Sequence, residues 1–183
     1  MTKVFIGGSR RMTKLAPSIL GRIDNIINSN FTVLIGDANG TDKGIQEYLA
    51  NKHYENVVVF CTGDVCRNNI GNWETRNVVA DSGKKGFDFY AVKDQQMAKE
   101  ASYGFMIWDA KSKGTLNNII NLLKGKKQVL VYFSPDKSFY ALRNAHELSD
   151  LLAKCDKEAL EEFDKKLAIA EFLDKEQSEL EFA

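Results

Sequence analysis

Three short stretches of this chain carry residues suited to holding an anion. Gly7-Gly8-Ser9-Arg10 closes the apolar run Val4-Phe5-Ile6. Gly36-Asp37-Ala38-Asn39-Gly40-Thr41-Asp42 follows Thr32-Val33-Leu34-Ile35, and Asp109-Ala110-Lys111-Ser112-Lys113-Gly114-Thr115 follows Tyr103 to Trp108. Glycines let backbone N–H groups approach a ligand closely. Hydroxyl and guanidinium groups such as those of Ser9, Arg10, Thr41, Ser112 and Thr115 add donors that suit phosphate. A single stretch of this kind is equally an ordinary strand-to-helix turn, and Thr41 and Thr115 are equally helix caps. Three in one chain, each after a buried strand and before a helix whose first-turn N–H groups favour negative charge, point to a phosphate-bearing ligand. Asp37, Glu74 and Asp109 are candidate carboxylates for holding a sugar hydroxyl or for stabilising an N-glycosidic bond as it breaks. Asp42 complements the dipole of the helix that follows it.

The elements that must position these turns are legible in hydrophobic periodicity. Val4 to Ile6, Thr32 to Ile35, Val57 to Phe60, Tyr103 to Trp108 and Gln128 to Phe133 read as buried parallel strands. Helices are predicted over Leu15 to Asn28, from Thr41 onward through Ile45, Tyr48 and Leu49, and from Thr115 through Leu123. This β-α-β-α-β order is the signature of a parallel sheet with right-handed crossovers. Cys61 to Gly71 reads as a loop. Trp73 to Ala80, carrying Glu74, Arg76 and Asn77, reads as a short helix, Phe87 to Val92 as a short strand, and Lys93 to Ser102 as a helix. After Pro135 the pattern gives a short edge strand from Ser138 to Leu142, then Asn144 and Glu147 at capping-box spacing before Leu148, Leu151 and Leu152. From Asp156 to about Gln177, the spacing of Leu160, Phe163, Leu167, Ala170 and Leu173 predicts a long amphipathic helix.

At 183 residues the chain is long enough for one good core. It has no apolar run of the roughly 20 residues that span a bilayer and no leader-like start, so a cytoplasmic protein without membrane contact is expected. Its three cysteines, an odd number, suggest no disulfide framework, and no residues stand at metal-ligand spacing. The sequence calls for no cofactor. The net charge of zero is unevenly spread: residues 154–183 hold five lysines against ten Asp and Glu, which leaves twenty basic and fifteen acidic residues in the rest. A mildly basic body suits a phosphorylated small ligand and is too weak a bias for nucleic acid.

Taken in order, Gly7-Gly8-Ser9-Arg10, Gly36-Asp37-Ala38-Asn39-Gly40-Thr41-Asp42, Arg76-Asn77 and Ser112-Lys113-Gly114-Thr115 resemble the SLOG superfamily, and most closely its small stand-alone members. That group includes the Lonely Guy phosphoribohydrolases and the Rossmann-like part of the DNA-processing protein. The resemblance covers about residues 3 to 133. It implies a three-layer, Rossmann-like α/β fold with a mainly parallel twisted sheet of about five to six strands and C-terminal helices. It divides the chain into a nucleotide-binding domain over residues 1–135 and a helical extension over 136–183. It further implies that Gly7, Gly8, Ser9, Arg10, Gly36, Gly40, Thr41, Arg76, Ser112, Gly114 and Thr115 contact a nucleotide or nucleotide-derived ligand. Where the Lonely Guy enzymes end their Gly-Thr motif in a glutamate used in N-glycosidic hydrolysis, Asn118 stands here, and an amide is neither a general base nor an anion. A binding or sensor protein is therefore expected, with a nucleotide N-glycosidase drawing on Asp37, Glu74 or Asp109 as the alternative. The amphipathic tail is expected to pack on the sheet's helices or on a second copy, with a dimer preferred by analogy with related small proteins.

Overall fold

The computed structural model describes residues 1–81, 83 and 85–174. Its strands are β1 (Lys3–Gly8), β2 (Thr32–Gly36), β3 (Val57–Thr62), β4 (Glu74–Val78), β5 (Tyr103–Trp108), β6 (Val129–Phe133) and β7 (Ser138–Leu142). They form one sheet in the order β4-β3-β2-β1-β5-β6-β7, parallel throughout except for the antiparallel pair β6 and β7. The helices are α1 (Pro17–Asn28), α2 (Thr41–Asn51), α3 (Gly86–Glu100), α4 (Lys113–Lys124), α5 (Ala145–Leu152) and α6 (Lys157–Leu167). The result is a three-layer, Rossmann-like α/β fold.

The β-branched and aromatic runs build this sheet because alternate residues feed two separate cores. Val4, Ile6, Val33, Ile35 and Ile107 pack with Ile19 and Ile23 of α1 and Ile45 and Leu49 of α2. Phe5, Leu34, Met106 and Trp108 point the other way, against Met97 of α3 and Leu116 and Ile119 of α4. The chain first winds outward from β1 through β2 and β3, then returns to lay β5 and β6 on the other side of β1. The loops after β1 and β5 therefore leave toward opposite faces of the sheet and open a crevice between them, the place where sheets of this kind bind ligands.

Several elements differ from the sequence expectation. The sheet has seven strands rather than five to six. Residues 74–78, expected within a helix from Trp73 to Ala80, form β4 against β3. At the sheet edge the charged and polar side chains Glu74, Thr75 and Asn77 face solvent and discourage further pairing, which erases the apolar alternation of a buried strand. Residues 87–92, expected as a strand, are the first half of α3. Their aromatic content favours a strand only where a pleated surface receives it; here they open a helix whose Met97 and Ala98 bury in the core beside the sheet. Cys61 and Cys66 form a disulfide, with Cα atoms 5.1 Å apart, where none was expected. The turn from β3 brings Cys66 back over the end of its own strand, a proximity that spacing alone does not reveal.

The tail helix stops at Ala168, whose φ of 47° is left-handed, and helical turns resume over residues 169–174. Gln177 lies outside the described residues. Phe163, Ile169 and Phe172 are buried in the same core as Trp108, and Leu160, Leu167 and Leu173 pack against it half-buried. The Trp108 and Phe163 rings stand 5.9 Å apart. Apart from Ala170, which is exposed, the stripe packs within the chain, on the core beneath α4. At Asn144 the expected cap is present: Oδ1 accepts from the Glu147 N–H at 2.9 Å. No helix among the described residues is long and apolar enough to cross a membrane.

Because Phe163 is 1% exposed, Phe163→Ala removes a ring from a closed core. Chemical denaturation followed by tryptophan fluorescence is expected to show a loss of about 3 kcal/mol or more. A loss below about 1 kcal/mol would mean that the tail is not docked there.

Candidate functional site

The site begins with a connection between the ends of β1 and β5. Ser9 is fully buried; its Oγ donates to Asp109 Oδ1 at 2.8 Å and accepts from the Asp109 N–H at 3.1 Å. The same carboxylate oxygen accepts from the N–H groups of Lys111 at 3.0 Å and Ser112 at 2.8 Å, which folds the β5–α4 turn. Ser112 then caps α4, its Oγ accepting from the Thr115 N–H at 3.3 Å and from Thr115 Oγ1 at 3.0 Å. On the other side, Thr41 Oγ1 donates to the carbonyl of Ser9 at 2.8 Å and to that of Met12 at 3.2 Å. Gly40, with φ of 82°, lies so close to the Arg10 backbone that no Cβ fits. A Cβ on Gly8 would meet the Ile107 carbonyl at 2.6 Å.

Above this connection lies a cavity of about 510 Å³ at the carboxyl edge of the sheet. Gly7, Gly8, Gly114, Thr115 and Asn118 line its base, and Phe87 and Tyr90 of α3 form one wall. Arg10, Arg11 and Lys111 are exposed cations on its rim. Gly114 differs from the other turn glycines: the nearest atom to a Cβ there would be Ser112 Oγ at 4.0 Å, so the space above it is open. Asn118 is 6% exposed, and its Oδ1 has no hydrogen-bond partner among the described residues. A buried amide oxygen without a partner is unfavourable by itself and calls for a donor from outside the chain.

The deepest wall is charged. Lys93 of α3 is 3% exposed, and its Nζ donates to Asp94 Oδ1 at 2.6 Å. Asp42, at the start of α2, is buried and accepts from the Ala38 N–H at 3.3 Å. A Cβ on Gly36 would lie 2.6 Å from Asp42 Oδ2 and 2.8 Å from Lys93 Nζ, so this glycine makes room for the two charges. Burial pushes the Asp42 carboxyl up to about 6, against the pull of Lys93. Burial opposes the charge on Lys93, yet Asp94 and Asp42 outweigh it and hold the ammonium above its ordinary range. Asp37 is buried as well, and burial alone would raise it. Arg67 reverses that by donating to it from Nε at 3.1 Å, from a terminal guanidinium nitrogen at 2.5 Å and from its own N–H at 3.0 Å, holding the carboxyl below its ordinary value. The Arg67 guanidinium stacks on Tyr90, 4.3 Å from the ring centre.

The sequence-derived residues therefore divide. Gly7, Gly8, Arg10, Asp109, Ser112, Gly114 and Thr115 line one cavity. Ser9, Gly36, Gly40 and Thr41 lie in its supporting layer, held by or making room for protein atoms. Asp37 is engaged by Arg67 and does not line the cavity. Glu74 and Arg76 sit on β4, three strands from β1, where Arg76 pairs with Glu100 at 2.5 Å and with Glu74 at 3.6 Å. Lys93, Tyr90 and Arg67 escaped sequence reasoning, and Asp42 entered only as a dipole partner. The available signal was Lys93 itself, a charge set directly after the apolar run Tyr90-Ala91-Val92. No protein-family model matches the chain, and no curated protein matches it.

Asp42 sets a pH dependence of stability with a definite sign. Its folded carboxyl titrates above its ordinary value of 3.8, at about 6, so the fold prefers the protonated form and loses stability as pH rises through that window. Asp42→Asn, which keeps the shape without the charge, is expected to raise stability at pH 8 by about 2–3 kcal/mol and to leave it nearly unchanged at pH 4. Thermal denaturation at the two pH values checks this; destabilisation at pH 8 would show that Asp42 serves the fold as an anion.

Proposed function

We propose that the cavity binds a phosphate-bearing ligand of nucleotide type and that the protein acts as a binding or sensing module for it. The observation that carries this reading is the open space above Gly114 at the start of α4, facing a rim of Arg10, Arg11 and Lys111. First-turn N–H groups of a helix have no acceptor within it, and together with the helix dipole they suit a phosphate. Phe87 offers apolar aromatic surface to a base, while the Tyr90 ring beside it carries the Arg67 and Arg10 guanidinium groups. A volume of about 510 Å³ falls in the range of small-ligand sites, and a concave site of this size suits a mononucleotide better than a nucleic-acid strand. The likeness of the turns to the SLOG superfamily supports the same ligand class.

Hydrolysis of an N-glycosidic bond is the second reading. It is favoured by Asp42 and Asp94, carboxylates of the cavity wall that hydrolysis could use in place of Asp37 and Glu74. Against it stands Asn118, whose amide supplies neither a base nor a negative charge.

Gly114→Val places a branched side chain where the phosphate would sit, while valine is the better helix former of the two. Calorimetric titration with AMP and ADP is expected to show affinity lower by about tenfold or more, with the melting temperature nearly unchanged. Equal affinity in the variant would remove the phosphate from this turn. Incubation of the native protein with nucleoside monophosphates and NAD-derived nucleotides is expected to release no free base by chromatography. Release that disappears in Asp42→Asn would favour the hydrolase reading instead.

A further inference from the structure

The charged wall of the cavity does not balance. Behind the wall Asp37 is matched by Arg67, and in the wall itself Lys93 is matched by Asp94 through a 2.6 Å contact. Asp42 stands beside both pairs, near Lys93, and among the described residues neither cation is ion-paired with it. Lys93 and Asp94 face it from α3, Asp37 from its own connecting loop, and Arg67 from the β3–β4 connection. Across the cavity stand Asp109 and the rim cations Arg10, Arg11, Lys111 and Lys113, of which Lys113 is paired with Glu162 at 3.0 Å. With both pairs ionised, Asp37, Arg67, Lys93, Asp94 and Asp42 sum to one negative charge, and the carboxylate left over is that of Asp42.

A ligand anion must share this cavity. If round, a cavity of about 510 Å³ is about 10 Å across, so an anion held anywhere in it lies within about 10 Å of the Asp42 carboxylate in its lining. Two negative charges held that close favour protonation of one of them. Asn118, 6% exposed and with its Oδ1 unpartnered among the described residues, lines the same space and marks it as shaped for an outside molecule.

We propose that anion binding in this cavity is coupled to protonation of Asp42, so that each ligand bound draws a proton onto the cavity wall. This rests on the anion-binding reading above. The carboxyl already titrates at about 6 before any ligand adds its charge, which brings proton uptake within the neutral range. Coupling is reciprocal: if the anion promotes protonation, protonation tightens the anion by the same factor, and affinity falls as pH rises above the free carboxyl's pKa. The pocket is then a site that loads more readily under mild acidification. The neutral amide of Asp42→Asn reproduces the protonated state at every pH.

Sulfate tests this without a titrating proton of its own between pH 5.5 and 8. Calorimetric titration of the intact protein with sodium sulfate is expected to show affinity falling by about tenfold or more across that range. Asp42→Asn is expected to bind sulfate more tightly than the native protein at pH 8 and about equally at pH 5.5, giving a flat profile. AMP titrated at pH 7.5 in buffers of different ionisation enthalpy should draw more protons per ligand into the native protein than into the variant. A flat native sulfate profile, needing no variant, would overturn the coupling, as would equal proton uptake by the two proteins. If sulfate and AMP bind with no pH dependence, only the coupling fails. If neither binds at any pH, the anion-binding reading fails and takes the coupling with it.

Discussion

The candidate site depends on a hydroxyl and a carboxylate one hundred residues apart. Ser9 and Asp109 exchange hydrogen bonds across the gap between β1 and β5, where no helix connects the two strands directly. Parallel strands at this point send their loops to opposite faces, and the last backbone bond between them is that from the Ser9 N–H to the Ile107 carbonyl at 2.9 Å. The buried serine closes its base, and the carboxylate oxygen it meets also gathers two N–H groups of the following turn. That turn delivers Ser112 as a cap and leaves Gly114 beneath open space. Thr41 completes the arrangement by holding the Ser9 and Met12 carbonyls to the start of α2. A polar network this fully satisfied fixes a loop geometry that apolar contacts would leave loose.

The cavity's charged wall follows a different logic. Burying a lysine and several aspartates is expensive, and the partners that make it tolerable are Asp94 for Lys93 and Arg67 for Asp37. An apolar wall of the same volume would serve stability at least as well. Such an exception to the ordinary rules of burial belongs with function rather than with folding. Arg67 extends the network outward, since its guanidinium also stacks on Tyr90, which in turn lies 5.2 Å from Arg10 at the rim. The aromatic wall, the rim cation and the buried carboxylate are therefore held by one connected set of contacts.

Much of this was legible in the sequence. Val4 to Ile6, Val33 to Ile35 and Phe105 to Trp108 are buried on both faces, and their unbroken apolar character says so. β4 was not legible, because Glu74, Thr75 and Asn77 face water at an edge and carry no alternation. The aromatic residues Phe87, Phe89 and Tyr90 mimic a strand while forming the start of α3. That misreading hid the charged wall, since Lys93 and Tyr90 share the helix. The turn glycines were visible, but their reasons were not. Gly8, Gly36 and Gly40 admit protein atoms, and Gly114 alone of the four faces open space. Sequence shows that a backbone must be approached closely and does not show by what.

The central claim, that one cavity between β1 and β5 takes a phosphate-bearing ligand, is tested most directly by an amide chemical-shift titration of the isotopically labelled protein with AMP. Saturable shifts are expected to concentrate at the amides of Lys113, Gly114, Thr115 and Asn118, with smaller ones at Arg10 and Tyr90. Saturable shifts confined to β4 and the Arg76 surface, or no shifts at millimolar AMP, would contradict it.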